Sequence, residues 1–245
     1  MDLNIKGKRA LVMGSSAGLG LGIAKSLIAE GAQVAICARD SKKLEHIKNE
    51  IHAHLAIPVD LSKPKSSIEL IKNVNERWGG IDILVTNTGG PPQGFFADIT
   101  TEQWQIGFQS LWLSATEAIS QVIANMKENK WGRILLVTSV AAKEPMTRLT
   151  VSNGLRAGLL GVAKSLSLDV APLGITVNAL LPGYTRTERL KELKVDESQM
   201  ISRIPAGRLG EPEELGALVA FLCSQQAAYI TGQAIACDGG YLHGL

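Results

Sequence analysis

The chain has 245 residues, 45% of them hydrophobic and 20% charged, with 25 basic against 23 acidic side chains for a formal net charge of +2. That length and apolar content suit one large α/β core, so a single domain over residues 1–245 is expected. The balanced charge, without a run of one sign, speaks against nucleic acid or an anionic membrane surface as partner and leaves a small molecule as the default ligand.

Three scattered cysteines, Cys37, Cys223 and Cys237, fall in apolar segments. They read as buried reduced thiols rather than a disulfide frame or a zinc site, and no metal site is expected. The longest apolar run, residues 215–223, is too short to span a bilayer, and residues 1–8 are polar, unlike a signal peptide. A cytoplasmic, soluble protein is the expectation.

Residues 9–22 read RALVMGSSAGLGLG. Four apolar residues form a short buried strand, Gly14, Gly18 and Gly20 follow at once, and an amphipathic helix runs from about Gly18 to Ala29. Strand, glycine turn and helix make a phosphate site, since glycines admit a diphosphate close to the backbone and the helix start offers unpaired N–H groups. The spacing is G-x-x-x-G-x-G, and a tight βα turn with close helix packing would also need such glycines.

Residues 33–38 (QVAICA) form a second strand, at whose end a dinucleotide-binding fold meets the adenosine ribose. There Ala38 is neutral and Arg39 follows, so a guanidinium can pair a 2′-phosphate and NADP is favoured over NAD, the alternative being a solvated loop arginine. A helix over 41–52, a strand over 53–59 ended by Asp60, a helix over 64–78 and a strand over 83–86 come next. The alternation predicts a doubly wound parallel sheet with helices on both faces and ligands at the carboxyl ends of the strands.

Residues 87–92, NTGGPP, form a rigid loop because its prolines exclude helix. A long helix over 101–128 leads to a central strand within 131–139, then to a helix over 151–171. Gly154, Gly158 and Gly161 each cost that helix about 1 kcal/mol relative to alanine, which close helix packing offsets, and this face reads as a subunit contact. A strand over 174–180 ends in Pro182 and Gly183, residues 184–203 read as a mobile lid, and a helix over 211–224 precedes a last strand over 234–237. About seven strands result.

With these stretches placed, the chain resembles the short-chain dehydrogenase/reductase family over nearly its whole length. The resemblance rests on Gly14-Ser15-Ser16-Ala17-Gly18-Leu19-Gly20, Asp60, Asn87-Thr88-Gly89, Ser139, Asn178, Pro182-Gly183 with Thr187, Tyr229-Ile230-Thr231-Gly232-Gln233 and Asp238-Gly239-Gly240. The ketoacyl-carrier-protein reductases look nearest. The likeness implies a Rossmann-like fold, NADP(H), and commonly a homotetramer built on the two long helices and the last strand, a dimer being the other homo-oligomer considered. It also implies cofactor contacts from Gly14, Ser15, Ser16, Gly18, Leu19, Gly20, Arg39, Asp60, Leu61, Asn87, Thr88, Gly89, Pro182, Gly183 and Thr187.

The family's catalytic pattern is a serine, a tyrosine thirteen residues on, a lysine four further, and an asparagine in the preceding long helix. Counted from Ser139, the tyrosine position holds Ser152 and the lysine position Arg156, while the asparagine position holds Leu111. This pattern resembles a divergent, reductase-like branch that lacks the usual tetrad. A serine hydroxyl without a base is no general acid at neutral pH, whereas an arginine keeps its charge and can hold a ribose hydroxyl or an anion. The candidate catalytic set is therefore Ser139, Ser152, Arg156 and Tyr184, the last either a proton donor or a wall of the pocket. Two readings stand: an NADP(H)-dependent oxidoreductase acting on a small carbonyl or alcohol, with an anionic substrate or an acyl thioester as the candidates, or a catalytically silent nucleotide-binding sensor or partner subunit.

Overall fold

The structure, a computed structural model, describes residues 2–188, 190 and 196–244. Seven parallel strands, β1 (Arg9–Val12), β2 (Gln33–Ala38), β3 (Leu55–Pro58), β4 (Ile83–Thr86), β5 (Gly132–Val137), β6 (Ile175–Pro182) and β7 (Ala234–Cys237), form one sheet in the order β3-β2-β1-β4-β5-β6-β7. Among the described residues the helices include α1 (Gly18–Ala29), α2 (Ser41–Ile51), α3 (Ser66–Trp78), α4 (Thr101–Gly107), α5 (Ser114–Glu128), α6 (Thr150–Val170), the short α7 (Glu197–Ile201) and α8 (Pro212–Cys223). This is the doubly wound, Rossmann-like architecture that the strand and helix alternation requires.

The central strands are buried and mostly apolar because both faces are covered, the polar exceptions being Thr86, Arg133, Thr176 and Asn178. Alternate residues divide between two cores. Ala10, Val12, Val34 and Ile36 pack under α1, α2 and α8 with Ile23, Leu27, Leu44, Leu215 and Val219. Leu11, Met13, Leu84, Ile134 and Leu136 face α3, α5 and α6 with Ile71, Val74, Val122, Met126 and Leu159. The order reverses between β1 and β4, which opens a crevice at their carboxyl ends where such sheets bind ligands.

Three expectations change. The helix foreseen over 101–128 is interrupted by a π-helical stretch, Phe108–Leu113. Here Ser110 donates to the Ile106 carbonyl, Ser114 to that of Ser110 and Thr116 to that of Trp112, and such competition for backbone acceptors perturbs helices. Gly154 and Gly158 find their close packing inside the chain, since a Cβ would lie 3.6 Å from Trp104 at the first and 2.6 Å from Trp112 at the second. They are therefore no argument for a subunit contact, and of the three glycines only Gly161 has open space beside it. Cys37 and Cys223 are buried as expected, but Cys237 is half-buried. The region read as a lid lies partly outside the described residues, and its described part holds α7 and a bridge between Thr185 and Gly210. Among the described residues no helix is long and apolar enough to cross a membrane.

Candidate active site

The glycine turn after β1 is shaped by contacts that exclude side chains. Gly14 has φ +57°, and a Cβ there would lie 2.6 Å from the Asn87 carbonyl oxygen; a Cβ on Gly20 would lie 2.3 Å from that of Gly14. Asn87, at the end of β4, fixes the turn from the neighbouring strand by donating to the carbonyls of Gly14 at 2.9 Å and Met13 at 3.3 Å. Helix α1 starts from Ala17, which has no side-chain cap. Among the described residues no side chain caps its first N–H groups, the arrangement that binds phosphate.

Other nucleotide-site candidates sort by position. Gly14, Gly18, Leu19, Asn87, Thr88, Gly89, Arg156 and Thr187 line one continuous cleft, and Ser16 borders the adjoining groove with Gly18 and Thr187. The methyl group of Thr187 would lie 3.2 Å from a Cβ on Gly18, so the segment after β6 closes over the turn. Asp60 accepts from the Ser62 hydroxyl and N–H; those bonds, with the nearby charge of Arg39, hold its carboxyl below the usual carboxylate range. Leu61 follows it, partly buried. Ser15 faces the other way. It is fully buried, donates to the Val12 carbonyl at 2.7 Å and accepts from Cys37 N–H at 3.0 Å, so its hydroxyl joins β1 to β2 rather than reaching a ligand. Asn178 is likewise buried, bonded to the Ile230 carbonyl and the Gln233 N–H, and its work is to hold β6 to the segment before β7.

Beside this cleft lies a cavity of about 200 Å³ that gathers all four catalytic candidates, Ser139, Ser152, Arg156 and Tyr184, together with Leu19, Pro182, Gly183 and Thr187. Ser139 caps the turn Val140–Ala142 and its Oγ accepts from Ala141 N–H at 3.1 Å. Ser152, on the first turn of α6, is 8% exposed, and its Oγ accepts from Arg156 Nε at 3.1 Å. Arg156 also donates to the Val137 carbonyl at 3.2 Å and to that of Thr138. The guanidinium is thus tied to the end of β5, between the cofactor cleft and the cavity, and it borders both. Leu111, in the π-helical stretch, is 2% exposed and brings no polar group.

Sequence reasoning missed the roof of the cavity, formed by Gly90, Pro91, Gln93, Met146 and Leu149. Gly94 N–H donates to the Arg148 carbonyl at 2.8 Å and Thr150 Oγ1 to the Gly94 carbonyl at 3.0 Å, which joins the loop after β4 to the start of α6. Asn153 then clamps Met146, donating to its carbonyl at 2.8 Å and accepting from its N–H at 3.3 Å. The signal present in the sequence was Asn153, a polar residue beside Ser152 that a helix start alone does not need.

A glycine turn beneath an open helix start, at the point where the strand order reverses, defines a doubly wound α/β protein of dinucleotide-binding type. Comparison with known proteins narrows the class. The family profile described as enoyl-(acyl carrier protein) reductase matches residues 14–242. The 3-oxoacyl-[acyl-carrier-protein] reductase FabG of Escherichia coli is 33% identical over 247 residues, covering 97% of this chain and 98% of that protein. The NADPH-dependent reductase BacG of Bacillus subtilis is 32% identical over 251 residues, covering 95% and 97%. Among solved structures, L-sorbose reductase from Gluconobacter frateurii, complexed with NADPH and L-sorbose, superposes with a TM-score of 0.94 at 30% identity over 100% of both chains. YwfH, an NADPH dependent reductase involved in bacilysin biosynthesis, does so at 0.94 and 31% over 98% and 100%. The chain belongs to the short-chain dehydrogenase/reductase family, and within it is similar to the ketoacyl-carrier-protein reductases.

Proposed function

We propose that this protein is an NADP(H)-dependent oxidoreductase of a small carbonyl or alcohol substrate, working with two serines and an arginine where the family has serine, tyrosine and lysine. The NADPH-dependent relatives support the cofactor, and the residues present fit it. The Gly14 and Gly20 cradle, which a Cβ would fill, and the uncapped start of α1 would hold the diphosphate; Arg39 would meet the 2′-phosphate. NADP(H) supplies or accepts the hydride.

The observation that carries the reading is the polarity of the two serines. Ser139 Oγ accepts from Ala141 N–H and Ser152 Oγ accepts from Arg156 Nε, so each hydroxyl keeps its own proton to donate into the cavity they share. A substrate oxygen gaining negative charge is held there by two O–H donors with a fixed cation behind them. One such preorganised donor is worth about 3–4 kcal/mol of transition-state stabilisation. Neither serine gives up its proton at neutral pH, so the proton that completes the alcohol comes from water. Without a general acid, turnover falls by about 10²- to 10⁴-fold relative to tyrosine-bearing relatives. The substrate is either anionic, such as a keto acid, or an acyl thioester. A homo-oligomer, dimer or tetramer, and a cytoplasmic location belong to the same reading.

The second reading, a silent nucleotide-binding sensor or partner subunit, is favoured by Leu111, a buried apolar side chain where the family pattern has an asparagine. Restoring the family pair with Ser152→Tyr and Arg156→Lys separates the two. If the parent is a serine-based enzyme, it oxidises NADPH slowly with keto acids or ketoacyl thioesters, Ser152→Ala lowers that rate about 10²-fold or more, and the double variant gains little. If it is silent, the parent binds NADPH without turnover. A parent turning over at ordinary family rates would overturn both and direct attention to Tyr184→Phe.

A further inference from the structure

The last described residues return to the substrate cavity. After β7 the chain turns at Gly239 and Gly240, with φ +66° and +86°. The Asp238 carboxylate stabilises the turn by accepting from Gly240 N–H at 3.0 Å and Leu242 N–H at 2.9 Å. This sets the Tyr241 ring edge-on against Tyr184, with centroids 5.4 Å apart and planes at 90°. Two residues further on, the chain is caught from the other side. One oxygen of Glu144 accepts from His243 N–H at 2.6 Å and Gly244 N–H at 3.1 Å, and the other lies 3.2 Å from His243 Nδ1.

One anchor is a wall of the cavity and the other lies on the loop that presents Ser139. Glu144 closes the loop that begins with Ser139, its N–H donating to the Val140 carbonyl at 3.0 Å, and Tyr184 is a cavity wall. A closed ring therefore runs from Ser139 through Glu144, His243 and Tyr241 to Tyr184 and back to the end of β6. Edge-to-face aromatic pairs fix ring orientation and add about 0.5–1.5 kcal/mol beyond area burial, while two backbone N–H bonds to one carboxylate hold the tail in register.

We propose that Tyr241 is a positioning residue that fixes the Tyr184 ring and so sets the width of the substrate cavity at the β6 end, with Glu144 as the clip that holds it there. This rests on the reductase reading for the occupant of the cavity, not for the coupling itself. The oxyanion end of the substrate lies at Ser139 and Ser152, and the tyrosine wall takes its apolar body. Glu144 thus coordinates two things at once, the loop that presents Ser139 and the tail that braces the opposite wall.

Fluorine NMR of fluorotyrosine-labelled protein tests this without turnover. The chain has three tyrosines, and Tyr229, 101% exposed, serves as reference. Tyr184→Phe assigns its signal. Glu144→Ala should move the Tyr184 and Tyr241 resonances toward that of Tyr229, Glu144→Gln should move them less, and Tyr241→Ala should shift Tyr184. In the NADPH-bound protein, Tyr241→Ala should weaken acetoacetate binding about 3- to 10-fold with recovery in Tyr241→Phe, and leave NADPH affinity within about twofold. A Tyr184 resonance indifferent to Tyr241→Ala and Glu144→Ala overturns the proposal, as does equal loss of acetoacetate and NADPH affinity. Coupled resonances in a protein that reduces no carbonyl would support the tail's role while defeating the reductase reading.

Discussion

Arg156 shows how one substitution changes what a position does. A lysine ammonium is a mobile point charge that can approach a ribose or relay a proton, whereas a guanidinium offers five donors in a fixed fork. The fork here bonds Ser152 and the carbonyls of Val137 and Thr138, so its place is set by the end of β5. The neighbouring serine accepts from it at Oγ. Arg39 is the opposite case, an exposed side chain whose role depends on what arrives. Arg39→Ala should lower the preference for NADPH over NADH by about 1–2 kcal/mol, the range of a partly exposed charge-assisted pair. Titration of both nucleotides against both proteins checks it, and an unchanged ratio would remove Arg39 from the 2′-phosphate site.

At the scale of elements, α6 carries Ser152 and Arg156 on one face and packs tryptophans against its glycines on another. Trp112 stacks on Phe108 with centroids 5.9 Å apart and lies where a side chain at Gly158 would be, so the π-helical stretch is seated on α6 by a glycine. Two alanine substitutions with the same helix propensity should therefore differ in sign. Gly161→Ala meets nothing within 4 Å and should stabilise by up to about 1 kcal/mol. Gly158→Ala places a Cβ 2.6 Å from the Trp112 ring and should destabilise by about 1–3 kcal/mol, overpacking outweighing propensity. Urea unfolding of the two variants decides the matter; equal effects would show that α6 is not in register with Trp112.

At the scale of the whole molecule, the start of the sheet is pinned far from the cavity. Arg9 donates to Asp82 through Nε, Nη2 and its own backbone N–H at 2.7–2.9 Å, tying β1 to the segment before β4. Burial pushes the Asp82 carboxyl up, but the Arg9 hydrogen bonds and charge outweigh it and leave the group below its unfolded value of 3.8. A depressed folded pKa means stability that is complete above the unfolded value and is lost as pH falls through the folded one. The wild type should therefore lose stability on acidification below about pH 4, and Asp82→Asn should remove about 1.5–3 kcal/mol at neutral pH while flattening that acid dependence. Thermal unfolding across the acid range is the measurement. An unchanged acid slope in the variant would assign the sensitivity to other carboxylates.

The sequence by itself determined the strands and their parallel pairing, because both rest on local chemistry. Apolar runs of four to eight residues broken by glycine, proline and acidic turns fix β1 to β7, and the alternation with helices leaves little choice of topology. Residue types at two strand ends, Gly14 and Asn87, read as a nucleotide cleft for the same reason, and both border it. What only the tertiary structure decided was where polar side chains direct their hydrogen bonds. Ser15 reads as a site residue by motif and Asn178 as a mark of the family, yet both are engaged in the core by backbone groups 22 and 55 positions away in the chain. Gly154 and Gly158 read with Gly161 as a subunit face, yet tryptophans of the same chain pack against the first two, and within the 101–128 helix Ser110, Ser114 and Thr116 bond backbone carbonyls of the helix itself. The tail clip of Glu144 and His243 joins residues 99 apart. A hydrogen bond depends on distance and angle to within a few tenths of an ångström, and a one-dimensional pattern carries periodicity but not those distances.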